Sequence, residues 1–170
     1  MAKILLIEHT DIVKFTAMNG NVDTDKFIQY ALYAQDTHIE TYLGTRLLQK
    51  IQELIETGDI DEIEFETYKN LLSDYIKPML IHWAFAEYLP FSAYTIANKG
   101  VYKHTSENAQ NAEKNEIDYL ASKATSMAQH YTDRFISHMN FYSNLFPEYD
   151  TNSNGDVYPN SNSNYLGWIL

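Results

Sequence analysis

Apolar residues recur along this chain at three- and four-residue steps, the spacing that puts them on one face of an α-helix. The first such run is Phe27, Ala31, Ala34, His38 and Tyr42, joined by Ile28, Ile39 and Leu43. Asp23 is placed to cap it, with Val22 and Phe27 at the two staple positions. Gly44 interrupts the run, and Leu47, Leu48, Ile51, Leu54 and Ile55 resume it until Gly58, a residue suited to a left-handed terminator. A third run, Phe65, Tyr68, Leu72, Tyr75, Ile76, Met79, Trp83 and Ala86, follows a capping-box pattern of Asp61 and Glu64 with an Ile60–Phe65 staple. Pro78 falls inside this run and predicts a kink, because it lacks a donor and crowds the preceding turn. Pro90 marks its end. Ser92–Asn98 reads as a further short helix and Lys99-Gly100 as a turn. The last and longest helix starts near Thr105 or Ser106 and runs to about Leu145, roughly 60 Å at the helical rise. Its seam is Ile117, Leu120, Ala124, Met127, Tyr131, Phe135, Met139 and Tyr142, and Phe146-Pro147 closes it.

The ends differ from this body. Residues 1–22 read as an arm with the apolar run Ile4, Leu5, Leu6, Ile7, a possible turn of helix at Asp11–Phe15, and turn residues at Asn19-Gly20-Asn21. Residues 148–170 are rich in Asn and Ser, lack Lys and Arg, and finish on Tyr165-Leu166-Gly167-Trp168-Ile169-Leu170. The pattern therefore predicts an all-α fold: a bundle of about four main helices over 23–147, including one very long C-terminal helix, between extended N- and C-terminal arms. Each apolar end either folds back on its own domain or reaches a neighbouring subunit. A polar tether ahead of a tryptophan favours a neighbour for the C-terminal end, while the two readings stand level for the N-terminal one. The candidate contact residues are Ile4, Leu5, Leu6, Ile7, Tyr158, Tyr165, Leu166, Trp168, Ile169 and Leu170.

Composition narrows the function. The chain has 170 residues, 45% hydrophobic and 21% charged, enough for one domain with a real core. Its net charge of −11 comes from 23 acidic against 12 basic residues, and Arg46 and Arg134 are its arginines. There is no clustered Lys/Arg surface to displace counterions from nucleic acid. The absence of cysteine excludes disulfides and thiolate metal sites. Four apolar residues at the start are too few for a signal-peptide core or a membrane span. Tyrosine is in excess, with 14 against 8 Phe and 2 Trp; it suits both the edges of a helical core and contact surfaces.

A search for chemistry finds no complete set. The six histidines, His9, His38, His82, His104, His130 and His138, show neither H-E-x-x-H spacing nor a preceding Glu-x-x-His. His82 beside Trp83 reads as a seam histidine. Glu113 and Glu116 sit on a charged, solvated face. No cysteine, serine elbow or glycine-rich phosphate loop is present. Asp150-x-Asn152-x-Asn154-Gly155-Asp156 matches the first half of a calcium loop, but Ser161 stands at the twelfth position and Pro159 lies within it. It reads as a polar linker, with weak calcium binding as an alternative. No enzyme activity, cofactor or metal is expected.

Several local phrases nevertheless share an order with a known group. A helix pair broken near Tyr42-Leu43-Gly44 precedes a long helix with Tyr75-Ile76-Lys77-Pro78 and a turn at Asn98-Lys99-Gly100-Val101. A very long helix then follows Thr105-Ser106-Glu107-Asn108 and closes with Leu145-Phe146-Pro147-Glu148-Tyr149. From Asn21 to Tyr149 this resembles the head–tail connector (adaptor) proteins of tailed bacteriophages, including those of crAss-like phages. The resemblance implies a structural virion protein at the portal–tail junction, assembled in the host cytoplasm. Its partners would be copies of itself in a twelve-subunit ring, the portal protein, and adjacent tail or neck proteins, with DNA passing through the channel without specific binding and no membrane involved. An acidic channel wall would repel phosphates and let DNA slide. The family supplies no catalytic residues, and the Asn-rich tail is outside the matching pattern. A monomeric helical interaction module is the alternative of a different class.

Overall fold

The structure, a computed structural model, describes residues 4–16, 24–92, 94–97, 100–103 and 114–162. A short α1 (His9–Phe15) leads to α2 (Thr24–Ala34), which passes through a π turn (Gln35–Ile39) into α3 (Glu40–Thr57). Two 3₁₀ turns, Asp59–Asp61 and Ile63–Phe65, precede α4 (Glu66–Leu71), a second π turn (Leu72–Ile76) and α5 (Lys77–Tyr88). After a 3₁₀ turn at Leu89–Phe91, β1 (Tyr94–Ala97) and β2 (Gly100–Lys103) pair as an antiparallel hairpin, Tyr94 opposite Lys103 and Ala97 opposite Gly100. Helix α6 (Lys114–Tyr142), a 3₁₀ turn (Ser143–Leu145) and α7 (Pro147–Asp150) complete the order.

The fold is thus helical as the periodicity predicts, except at one hairpin. Strand β1 occupies the stretch read as a short helix over Ser92–Asn98. Tyr94, Thr95 and Ile96 form a β-branched and aromatic run that favours a strand. The expected start of the long helix at Thr105 or Ser106, the capping residue Asp23 and the turn residue Lys99 lie outside the described residues. From Lys114 the helix spans 29 residues, about 43 Å.

The core forms between α2, α3, α5 and α6. Ile76, Met79, Leu80 and Ala84, on α5 and the turn before it, pack against Phe27, Ala31 and Ala34 of α2 and against Ala128, Phe135, Ile136 and Met139 of α6, and Ile39, Leu43, Leu47 and Ile51 join the same buried cluster. Each large aliphatic or aromatic side chain so buried contributes on the order of 1.5–3 kcal/mol. The seam of α6 is shifted from the predicted one: Leu120, Met127 and Tyr142 are exposed, while Ala128, Thr132 and Ile136 are buried. Small residues at 124, 128 and 132 let α5 approach closely, so the larger apolar side chains are left on the outer face. Helix α4 also starts later than predicted, at Glu66. Asp61 does not cap it and instead pairs with Lys69 at 2.9 Å.

Both π turns have a use. Ahead of Pro78, the Lys77 N–H reaches back to Leu72 C=O, and the widened turn admits a proline at the second position of α5. In the first π turn, Gln35 is fully buried and its amide acts like a piece of strand. Its Oε1 accepts from Leu6 N–H (2.9 Å) and its Nε2 donates to Ile4 C=O (2.9 Å), to which Gln52 Nε2 also donates (2.8 Å). The arm is held against its own domain, Leu6 and Ile7 lie in the core, and Lys77 fixes α1 through Asp11 at 3.1 Å.

Replacing Gln35 with leucine keeps the volume and strands the buried Leu6 N–H. The expected cost is about 1–3 kcal/mol, read in denaturant unfolding, with faster proteolysis of residues 4–16 in the folded protein.

Candidate functional site

Two features stand out from the packed body: a strap that closes a broken helix, and an aromatic groove on the outer face of α6. The strap begins with Gly44. Inside α3 this residue has φ 76° and ψ 158°, far from helical values and in the left-handed half of φ that favours glycine. In an unbroken helix the Thr45 N–H would donate to Thr41 C=O. Here both groups turn to the segment after α7. Thr45 N–H donates to Val157 C=O (3.0 Å), and Thr41 C=O accepts from Asn160 N–H (2.9 Å). Val157 N–H donates in turn to Thr45 Oγ1 (2.9 Å), and the Arg46 N–H donates to Asn152 Oδ1 (3.3 Å). Pro159 sits so close over Gly44 that a Cβ there would meet its ring carbons at 2.8 Å.

Charge secures the turn of the strap. Arg46 Nε donates to Asp156 Oδ2 at 2.7 Å, and its Nη2 donates to Ser153 Oγ at 3.0 Å. The same carboxylate accepts from Ser153 N–H at 2.8 Å, and Gly155 completes the turn at φ 93°. These bonds to Ser153, then Arg46, hold the Asp156 carboxyl below its ordinary range. Two of the residues that suggested half a calcium loop, Asn152 and Asp156, are therefore engaged within the chain. Asn152 Oδ1 and Asp156 Oδ2 accept from Arg46, and Asn152 Nδ2 donates to Tyr149 C=O. Among the described residues no group of three or more His, Asp or Glu is placed to hold a metal ion.

The second feature is a lamination of rings between α5 and α6. His38 lies flat on Trp83 (3.8 Å, 6°) with its Nε2 2.9 Å from Glu87 Oε1, and Trp83 Nε1 donates to Thr132 Oγ1 at 3.0 Å. His82 stacks on Tyr131 at 5.1 Å, and His138 on Tyr75 at 4.3 Å. Burial lowers the pKa of both His82 and His138, so they serve as neutral rings. Burial also raises the Tyr149 hydroxyl to about 12, aided by Asp150, and raises that of Tyr68, which donates to Glu148 at 2.7 Å. Where the lamination reaches the surface it opens into a shallow groove of about 440 Å³ floored by Tyr75, His138 and Tyr142. Arg134 stands in it, its guanidinium 5.6 Å from the ring centres of both Tyr75 and Tyr131, with Phe141 80% exposed at the rim.

The sequence-predicted contact residues fall in different places. Leu6 and Ile7 are core residues of this domain, and Ile4 and Leu5 are half-buried, so the arm folds back on its own body. Tyr158 projects from the strap, 61% exposed. Tyr165, Leu166, Trp168, Ile169 and Leu170 lie outside the described residues. The polar tether expected ahead of them is bonded to α3 as far as Asn160. Gly44 is visible in the sequence as a break in the helical run, and its partner is not. The distant pair Arg46 and Asp156 was the available signal, and nothing in the pattern ties them together across 110 positions.

Gly44→Ala meets both a forbidden φ and the Pro159 ring. It should cost upward of about 1–3 kcal/mol and free residues 151–162 for limited proteolysis, with α2, α5 and α6 still folded by circular dichroism. The two histidines predict a pH effect of definite sign. Their folded pKa lies below the ordinary value of 6.5, so unfolding takes up protons. Stability should be full above pH 6.5 and decline as pH falls below it, while Asp156 keeps the strap closed until pH drops under the ordinary carboxylate range. Thermal unfolding midpoints measured from pH 8 to 4 will show this slope, and His82→Phe should flatten part of it.

No described helix is long and apolar enough to cross a membrane. No curated protein matches the chain, and no solved structure does. A family model described as a family of unknown function (DUF6712) matches residues 39–159, from the end of the first π turn to the proline over Gly44, so both halves of the strapped break lie inside it. Because that match spans most of its length, the chain belongs to the DUF6712 family.

Proposed function

We propose that this chain is a structural subunit that acts by assembling with other chains and not by catalysis, and that its assembly is a connector ring at the portal–tail junction of a tailed bacteriophage. The observation that carries the assembly reading is the outer face of α6. Tyr119, Leu120, Met127, Phe141 and Tyr142, followed by Leu145 in the next turn, are each 48% exposed or more. Scattered apolar residues are ordinary on a surface, but a row of them along a single 29-residue helix marks a contact face. Leu120, Met127, Arg134 and Phe141 stand at successive heptad positions, so they follow nearly one line along the helix.

The connector part of the proposal rests on the sequence resemblance between Asn21 and Tyr149 and agrees with two physical properties. The rigid body is made of helices locked by an internal strap, which suits a ring element under load. The net charge of −11 suits a channel through which DNA slides without sticking. In this reading the ring contains about twelve copies, the portal and neck proteins sit above and below it, and the segment Tyr165–Leu170 reaches a neighbour.

Mass measurement of the purified chain over a range of concentrations, alone and mixed with its portal protein, tests this. A closed cyclic oligomer in either sample is the expected result. A strict monomer that ignores portal would overturn the proposal.

A further inference from the structure

Arg134 stands in the groove, and the chain carries an exposed apolar segment flanked by the opposite charge. Between α3 and α4 the sequence reads Gly58-Asp59-Ile60-Asp61-Glu62-Ile63-Glu64-Phe65-Glu66. Ile63 is 90% exposed, the most exposed large apolar side chain among the described residues. Its loop is nonetheless well held. Asp61 pairs with Lys69 at 2.9 Å, Thr57 donates to Asp59 at 2.8 Å, and Phe65 packs edge-on against Tyr68 beneath the Lys50 ammonium. Glu62 and Glu64 flank the isoleucine, are both exposed, and have no cation within ion-pair distance among the described residues. The result is a pre-shaped apolar knob between two free carboxylates.

The groove on α6 answers it. Arg134 has no carboxylate within ion-pair distance among the described residues, and the faces of Tyr75 and Tyr131 hold its guanidinium in place. Phe141 and Tyr142 offer exposed apolar surface beside it. The groove's own acid, Asp133, is engaged as an acceptor from Gln129 Nε2 at 3.0 Å, and His130 and His138 supply its remaining polar edges. On a chain of net charge −11, an arginine set on aromatic rings, with no carboxylate partner among the described residues, is a point of attraction for the carboxylates of a second copy. No residue of the 58–66 loop lines the groove, so the two surfaces are separate on one molecule.

We propose that Glu62-Ile63-Glu64 of one copy seats in the Tyr75–Arg134–Phe141 groove of the next. Ile63 covers the exposed rings, and a flanking glutamate pairs with Arg134. Each copy then presents one knob and one groove, a head-to-tail contact that propagates from subunit to subunit and closes when the rotation allows. The contact rests on the assembly reading above and supplies its subunit interface. Because it joins opposite charges at an exposed rim, it strengthens at low salt.

The test uses the full chain and exposed positions whose substitution leaves the core alone. Ile63→Asp and Arg134→Glu should each weaken self-association at least tenfold by sedimentation or mass photometry, with unchanged circular dichroism. Combining Arg134→Glu with Glu62→Lys and Glu64→Lys should restore it. Since the chain has no cysteine, Ile63→Cys with Ser137→Cys should give a ladder of disulfide-linked copies on oxidation. If the wild type assembles while both single variants assemble equally well, or if the double-cysteine variant assembles and gives no ladder on oxidation, this contact is overturned and the ring reading stands. A wild type that remains a single chain at every concentration, with or without portal, overturns both. A dimer that depends on Ile63 and Arg134 supports the contact and overturns the ring.

Discussion

One backbone hydrogen bond that is not made organises much of this molecule. A continuous helix would join Thr45 N–H to Thr41 C=O, and the extended ψ of Gly44 prevents it. Buried or crowded backbone groups do not remain unpaired, so a break inside α3 demands a donor and an acceptor from elsewhere. The strap brings both, Asn160 N–H and Val157 C=O, with the Asn152 side chain for the next amide along. Glycine admits the proline ring, the proline ring rules out a side chain at 44, and Arg46 fastens the turn at Asp156. Each part of this arrangement requires the others, which is why the end of the family match at Pro159 and the break at Gly44 belong to one structural unit.

A second constraint places three of the six histidines. Helix α6 meets α5 through small residues, and flat rings pack around that close approach: His38 of the first π turn on Trp83 and His82 on Tyr131, both nearly parallel, and His138 on Tyr75 at 28°. A neutral imidazole stacks like a small aromatic ring and still offers an edge for hydrogen bonding. Histidines that could have suggested metal chemistry are thereby absorbed into packing. The same lamination, continued to the surface, leaves Tyr75, Phe141 and Tyr142 around Arg134.

Helix positions with strong three- and four-residue spacing were legible in the sequence. Phe27, Ala31, Ala34, Ile39 and Leu43, then Leu47, Leu48, Ile51 and Leu54, are buried as their period predicts, although Ile28 of the same run is exposed, and Gly58 ends α3 in the left-handed conformation. What periodicity missed was settled by tertiary partners. The β-branched run at 94–97 pairs with 100–103 across a hairpin, an arrangement a helical reading of seven residues overlooks. Leu120 and Met127 share a period with the true seam, and only the small residues at 124 and 128 decide which stripe meets α5. The strap was illegible for a different reason: Asn and Ser appear equally in linkers and in segments bonded through their backbone. For the N-terminal arm, hydrophobicity does not distinguish Leu6, buried under Gln35, from a residue that awaits a partner.

The strap also closes a long loop. It joins Thr41, Thr45 and Arg46 to residues 152–160, more than a hundred positions along the chain. The entropy lost in closing a loop grows only with the logarithm of its length, so the great length of this one adds little to the cost. Once made, the clasp encloses α4, α5, α6 and α7, and loosening any of them pulls on the same few bonds. The break at Gly44 therefore ties the stability of one helix to that of every helix that follows it.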